Sequence, residues 1–245
     1  MPTRVAARGV TGARPDVTAR RCFVVGVCVL ALYNVVRGLG AFGALKDASA
    51  IGLLLVFVVL AWKANLTVAD LGLARADMRR GARFGTVALM VTVAVLVVVW
   101  AIPATSDFLE DSRADVSGPR VLFEIAVPIL LLTVIPEEFV FRGVLFASGR
   151  VVWGERGATL VSSVAFGLWH ISPTLGTMSQ NPQLDDTTTT TGGTILLVAG
   201  SVLVTFVAGL VFCWLRLRSR SLLAPIIAHL ATNGAALVIA WIVVR

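Results

Sequence analysis

Charge is what this chain lacks most. Of its 245 residues only 14% are Asp, Glu, Lys or Arg, while 57% are hydrophobic; a soluble domain carries about 25% charged residues. With a mean hydropathy of +0.89, that deficit excludes an ordinary soluble globular enzyme and points to a polytopic membrane protein. Cysteine is also scarce. Cys22, Cys28 and Cys213 show no disulfide or metal-ligand spacing and all lie in apolar runs, which leaves no disulfide framework and no cysteine metal site. Lysine occurs only at positions 46 and 63, so 19 of the 21 basic residues are arginine. Together with the richness in Ala and Val, this suggests a GC-rich bacterial genome. No internal repeat is evident, which argues against transporters built from two related halves. No H-E-x-x-H is present, and no Ser or Cys sits in a nucleophile elbow.

The basic residues that exist are informative. The net charge of +7 could suggest nucleic-acid binding, but the arginines fall in short clusters between apolar runs, the pattern that sets membrane orientation. Seven segments are long and apolar enough to span a bilayer: 22–41, 48–63, 83–103, 120–146, 157–172, 193–215 and 221–244. The second and fifth are short. Arg20 and Arg21 precede the first run as in a signal peptide, but no A-x-A site follows, so a retained helix is expected. With the N-terminus in the cytoplasm, segments 1–21, 63–83, 147–157 and 216–220 carry fifteen basic residues and the opposite side carries five. The loop 104–119 on that opposite side is acidic. The loop 173–192 has no basic residue and contains a low-complexity five-Thr run, 187–191, with no assigned role. The expected fold is an all-α polytopic membrane bundle of about seven helices, N-terminus cytoplasmic and C-terminus outside, in a bacterial plasma membrane.

Ionisable groups inside such spans are costly and mark functional sites by default. Away from the helix ends, the sequence offers Glu137, Glu138, Arg142, His170 and His229, with Asn233 as a polar companion. His170 and His229 are the only histidines of the chain. Glu138 and Arg142, Phe166 and His170, and His229 and Asn233 are each four residues apart, so each pair shares one face of its helix. Three polar faces on three spans avoid lipid by turning toward one another. Glu138 and Arg142 read as a structural ion pair. Glu137, about 100° round the helix, has no partner within its own turn. Pro136 removes a backbone donor and frees the carbonyl of Leu132.

This set has the parts for water-driven amide hydrolysis. Glu137 would act as general base, His170 would orient or share the water, and His229 with Asn233 would stabilise the oxyanion. Glu137, His170 and His229 could instead hold Zn²⁺ with one open position. The reading without a tightly bound metal is preferred. Those three groups are divided among three helices, and Glu138 is the only carboxylate near enough to serve as an outer partner. Measured from the span ends, however, Glu137 and His229 lie about 12–14 Å deep and His170 about 20 Å. Helix tilt, or a fifth helix starting lower, has to close that gap.

The stretches EEFVFR (Glu137–Arg142), FGLWH (Phe166–His170) and HLATN (His229–Asn233) resemble the three motifs E-E-x-x-x-R, F-x-x-x-H and H-x-x-x-N of the CAAX protease and bacteriocin-processing family. The resemblance covers about residues 120–236, and ADLGLARADMRRG is similar to the cytoplasmic stretch that often precedes these domains. It implies a helical-bundle intramembrane endopeptidase. By resemblance, catalysis would fall to Glu137, His170, His229 and Asn233, with Glu138, Arg142 and Phe166 in support. Family members are commonly labelled metalloproteases, and a metal-free glutamate mechanism is also proposed. The chain then divides into 1–119, a tail with three spans, and 120–238, a catalytic domain. The expected partners are the bilayer and a membrane-associated protein or peptide substrate; no nucleic acid is expected. Two other readings stand beside it: a catalytically silent immunity or partner-binding protein, and a small proton-coupled transporter.

Overall fold

The computed structural model of the protein describes residues 15–40, 42–102, 114–177 and 190–244. The tail 1–14, part of the acidic loop (103–113), most of the Thr-rich loop (178–189) and Arg245 lie outside the described residues. Among the described residues all regular structure is helical, with no strand. The elements are α1 (Pro15–Gly38), α2 (Lys46–Lys63), α3 (Arg75–Ala101), α4 (118–153), α5 (155–169), α6 (Ile171–Thr177), α7 (Thr191–Ser219) and α8 (Leu223–Val243). Five helical stretches are long and apolar enough to cross a membrane: Val17–Gly38, Arg75–Ala101, Gly118–Gly176, Thr191–Ser219 and Leu223–Val243; Ala48–Lys63 is a shorter apolar helix. Their outward faces carry Val87, Met90, Val91, Leu203 and Val204, all exposed. Such surfaces suit lipid and would be a liability in water.

Close approach of helices relies on small residues. Gly81 and Gly85 of α3 form a G-x-x-x-G seam. A Cβ at Gly81 would lie 2.7 Å from the Cβ of Ser221, and one at Gly85 would lie 2.8 Å from that of Ile227. Gly167 of α5 lies against the backbone of Val202, and Gly209 of α7 against Ser163. Between these seams sits one apolar core that includes Phe57, Phe141, Leu145, Phe166 and Phe212.

The stretch 118–169 departs from the expected spans. A loop at 147–157 was expected between two spans; instead the chain stays helical and breaks only at Gly154 (φ 67°, ψ −175°). That conformation is essentially open only to glycine. The two arms then run back along each other. Ser162 Oγ donates to the Phe141 carbonyl at 2.8 Å, Gly149 lies against Ala158, and Trp169 Nε1 donates to Glu137 Oε1 at 2.8 Å. In each contact the two residue numbers add to nearly the same total, as in an antiparallel register. The register corrects the depth estimates above. Glu137 is 17 residues before the hinge and His170 is 16 after it, about 24–26 Å along each arm. The earlier mismatch came from ending the first arm at residue 146.

α4 is not a uniform α-helix. Pro128 and Pro136 cannot donate to the i→i−4 ladder, and the chain responds with π-helical runs at Ile125–Val134 and Phe139–Leu145. The α-helical turn between them, Ile135–Glu138, carries both glutamates. π-Turns of this sort are frequent at functional sites.

The α2–α3 loop ties the basic ends of the helices together. Asp70 accepts from Thr67 N and Thr67 Oγ1 at 3.0 and 2.6 Å. Its other carboxylate oxygen meets Arg150 at 3.2 Å, and its carbonyl accepts from Arg216 Nη2 at 2.8 Å. The Gly72 carbonyl accepts from Leu222 N at 2.7 Å, just before α8.

Two glycine substitutions test the hinge. Gly154→Ala meets no steric obstacle but forces a side chain into a glycine-only backbone region, a cost of about 1–3 kcal/mol. Gly200→Ala, in the interior of α7 with open space around it, should be neutral or stabilising by about 0.4–1 kcal/mol. Unfolding of the purified protein in bicelles should show the first losing stability and the second not.

Candidate active site

Glu137 and Glu138 are adjacent, and their side chains serve different partners. Glu138 is fully buried. Its Oε1 accepts from Arg142 Nη1 at 2.9 Å and from His229 Nδ1 at 2.8 Å. The i,i+4 pair read from the sequence is therefore also a bridge to α8. Arg142 is fully buried as well. Its guanidinium stands 3.9 Å over the Phe166 ring and 5.0 Å from that of Phe212. These faces offset the desolvation of a guanidinium whose Nε and Nη2 have no hydrogen-bond partner.

Glu137 points elsewhere. Its Oε1 accepts from the indole of Trp169 at 2.8 Å. Its Oε2 is buried without a hydrogen-bond partner and lies 3.9 Å from His229 Nε2. An imidazole that donates its Nδ1 proton to Glu138 presents Nε2 to Glu137. Phe212 stacks on the His229 ring at 5.2 Å and fixes its plane.

His170 caps the end of α5 and is half-buried. Its Nδ1 is 2.8 Å from the Phe166 carbonyl, so as a donor there it leaves Nε2 as the free acceptor. It lies close enough to interact electrostatically with Glu137, His229 and Arg142. Phe166 is the common floor, with ring centroids 4.6 Å from His170 and 5.7 Å from His229. Asn233 is half-buried one turn beyond His229, in the π-helical run Ala231–Ala235. Its Oδ1 accepts from Thr232 Oγ1 at 3.3 Å.

Glu137, Glu138, Arg142, Phe166, His170 and His229 are thus gathered in one place, with Asn233 on its edge. Trp169 was missed by sequence reasoning, although it sits inside FGLWH; an indole N–H in an apolar span needs an acceptor, and that was the available signal. Phe212 carried no signal. Each histidine has an outer partner for its Nδ1, one a carboxylate and one a backbone carbonyl, as zinc histidines do. As placed, however, no three His, Cys, Asp or Glu side chains among the described residues form a set that could hold a metal ion.

Residues 119–235 match the family model Rce1-like: Type II CAAX prenyl endopeptidase Rce1-like. This part of the chain, just under half of it, is similar to that family. No curated protein and no solved structure matches the chain. The matched residues run from the start of α4 to the π-turn that holds Asn233, and so enclose every group of the cluster except its supports on α1 and α2. The family is one of proteases, and the all-helical bundle with its apolar exterior is that of an integral membrane protein.

Removing one partner of a buried, hydrogen-bonded ion pair costs about 3–5 kcal/mol. Arg142→Ala and Glu138→Ala are each expected to lower the yield of folded protein, read by size-exclusion chromatography in detergent. Arg142→Lys should also lose yield, since an ammonium cannot reproduce a flat guanidinium stacked on Phe166.

Proposed function

We propose that the protein is an intramembrane endopeptidase that cuts a membrane-associated protein or peptide by glutamate-activated water. The observation that carries this reading is the pair of facing atoms Glu137 Oε2 and His229 Nε2, 3.9 Å apart. Each belongs to a group whose other end is tied down, by Trp169 and by Glu138. That separation suits a water oxygen about 2.8 Å from each atom.

The step requires a Glu137 carboxylate able to take a proton and a His229 ring that donates from both nitrogens. Glu137 Oε2 takes a proton from water while the water oxygen attacks the scissile carbonyl carbon. His229 Nε2–H and the Asn233 amide donate to the developing oxyanion, and His170 orients the water. The tetrahedral intermediate collapses with cleavage of the C–N bond, and the proton held on Glu137 passes to the leaving amine. In this reading the N-terminus is cytoplasmic, as the arginine clusters suggest, and the Asp70–Arg150–Arg216 cluster lies on the same side.

Glu137→Gln keeps size and shape but cannot accept the proton. Its expected effect is a loss of at least 10²-fold in cleavage rate with the protein still folded. Comparative membrane proteomics of cells carrying the wild-type and Glu137→Gln proteins should reveal an uncleaved substrate that accumulates only with the variant; retention of more than about a tenth of the rate would refute the general-base role.

The preferred mechanism uses no tightly bound metal. Purified wild-type protein should therefore keep its activity through prolonged chelation. Stoichiometric zinc by elemental analysis, with activity lost to chelator and restored by zinc, would instead make Glu137, His170 and His229 ligands.

A further inference from the structure

Glu137 has one hydrogen bond to another side chain, and that donor is an indole. We propose that Trp169 is the positioning residue of the catalytic base, and that α1 and α2, which lie outside the family-matched residues, hold it in place. The proposal rests on the reading of Glu137 as the base.

The contacts form a connected set. Trp169 Nε1 donates to Glu137 Oε1 at 2.8 Å. The Trp169 carbonyl accepts from Asn34 Nδ2 of α1 at 2.6 Å. The Tyr33 ring, next along α1, stacks on the indole with centroids 5.4 Å apart and planes at 18°. The Tyr33 hydroxyl is hydrogen-bonded to Ser49 Oγ of α2 at 2.7 Å. On the other side the edge of Phe141 meets the indole at 5.9 Å. The indole is therefore fixed in plane, in height and in direction by α1 and α4, with α2 holding Tyr33, and is itself buried.

The chemistry follows from what an indole can do. Its N–H donates and never accepts. It therefore occupies one carboxylate oxygen without taking up a proton, and it leaves Oε2 as the only atom of Glu137 free to act as a base. It also draws Glu137 away from Arg142. Arg142 sits five residues on, and would otherwise offer a second guanidinium hydrogen bond to the wrong carboxylate, since its Nη2 and Nε have no acceptor. A freed Glu137 that paired with Arg142 would lose its line to His229. A misplacement of about 1 Å at such a site can cost on the order of 10²-fold in rate.

The test reads the contact and the rate separately. Full-length protein labelled with ¹⁵N in its indoles, in detergent micelles, contains six tryptophans; the resonance missing from Trp169→Phe is that of Trp169. It is expected to shift in Glu137→Gln, where a neutral amide replaces the carboxylate that the indole N–H meets. Where Trp169→Phe does not fold, the resonance displaced by Glu137→Gln makes the assignment. An indole spectrum that is unchanged by Glu137→Gln overturns the proposal. In membranes, Trp169→Phe is expected to slow cleavage of the accumulating substrate about tenfold or more, through kcat with little change in KM. Asn34→Ala, two contacts away from Glu137, should show a smaller loss of the same kind. Full wild-type kcat in a folded Trp169→Phe protein overturns the positioning role. If the wild type cuts nothing yet the Trp169 resonance follows Glu137, the protease reading fails and the positioning of Glu137 stands.

Discussion

One carboxylate oxygen organises this protein. Glu138 Oε1 is shared between Arg142, one turn along α4, and His229 on α8. A charge with no access to water must be met by partners of opposite sign or by strong donors, and an unmet one costs several kcal/mol. That demand draws α4 and α8 together at a defined height. The aromatic wall of Phe166, Phe212 and Phe141 then forms around the guanidinium, because a desolvated arginine gains more from ring faces than from aliphatic side chains. Glu137 inherits its position from this arrangement: with its neighbour committed to the interior pair, the next side chain round the helix must face α5.

The fold and the site were legible in the sequence to different extents. Charge depletion and arginine clustering were enough for an all-helical membrane bundle. The spacings of Glu138 to Arg142 and of His229 to Asn233 were enough to group residues on faces. Periodicity could not say which face meets which. That is decided by the antiparallel register of α4 and α5, which depends on Gly154, an apparently ordinary glycine in a polar stretch. The loop expected at 147–157 rested on Arg150 and Arg156; charge marks the membrane boundary, and a helix can continue through that boundary. Trp169 escaped notice because aromatic residues in apolar runs are usually packing, and only the neighbouring carboxylate gives its N–H a purpose.

Two devices serve two purposes. Inside the bundle, buried charge and aromatic stacking hold Glu137 and His229 in their hydrogen bonds to Trp169 and Glu138. At the basic end, the Asp70 loop ties α4 and α7 to the start of α8 through one carboxylate and two backbone carbonyls. An exposed ion pair contributes little by itself. Here the backbone bonds carry the geometry and the charges select the partners.

The antiparallel register about Gly154 also constrains how the gene can change. A residue inserted or deleted anywhere between Glu137 and His170 shifts one arm by about 1.5 Å and rotates it by about 100° relative to the other. Trp169 would then face lipid, and Glu137 would face a residue that cannot donate to it. Point substitutions along these arms can be absorbed by local repacking, whereas a change of length cannot. The thirty-two residues between Glu137 and His170 therefore behave as a ruler, and only compensating changes of length on both sides of the hinge would keep its marks aligned.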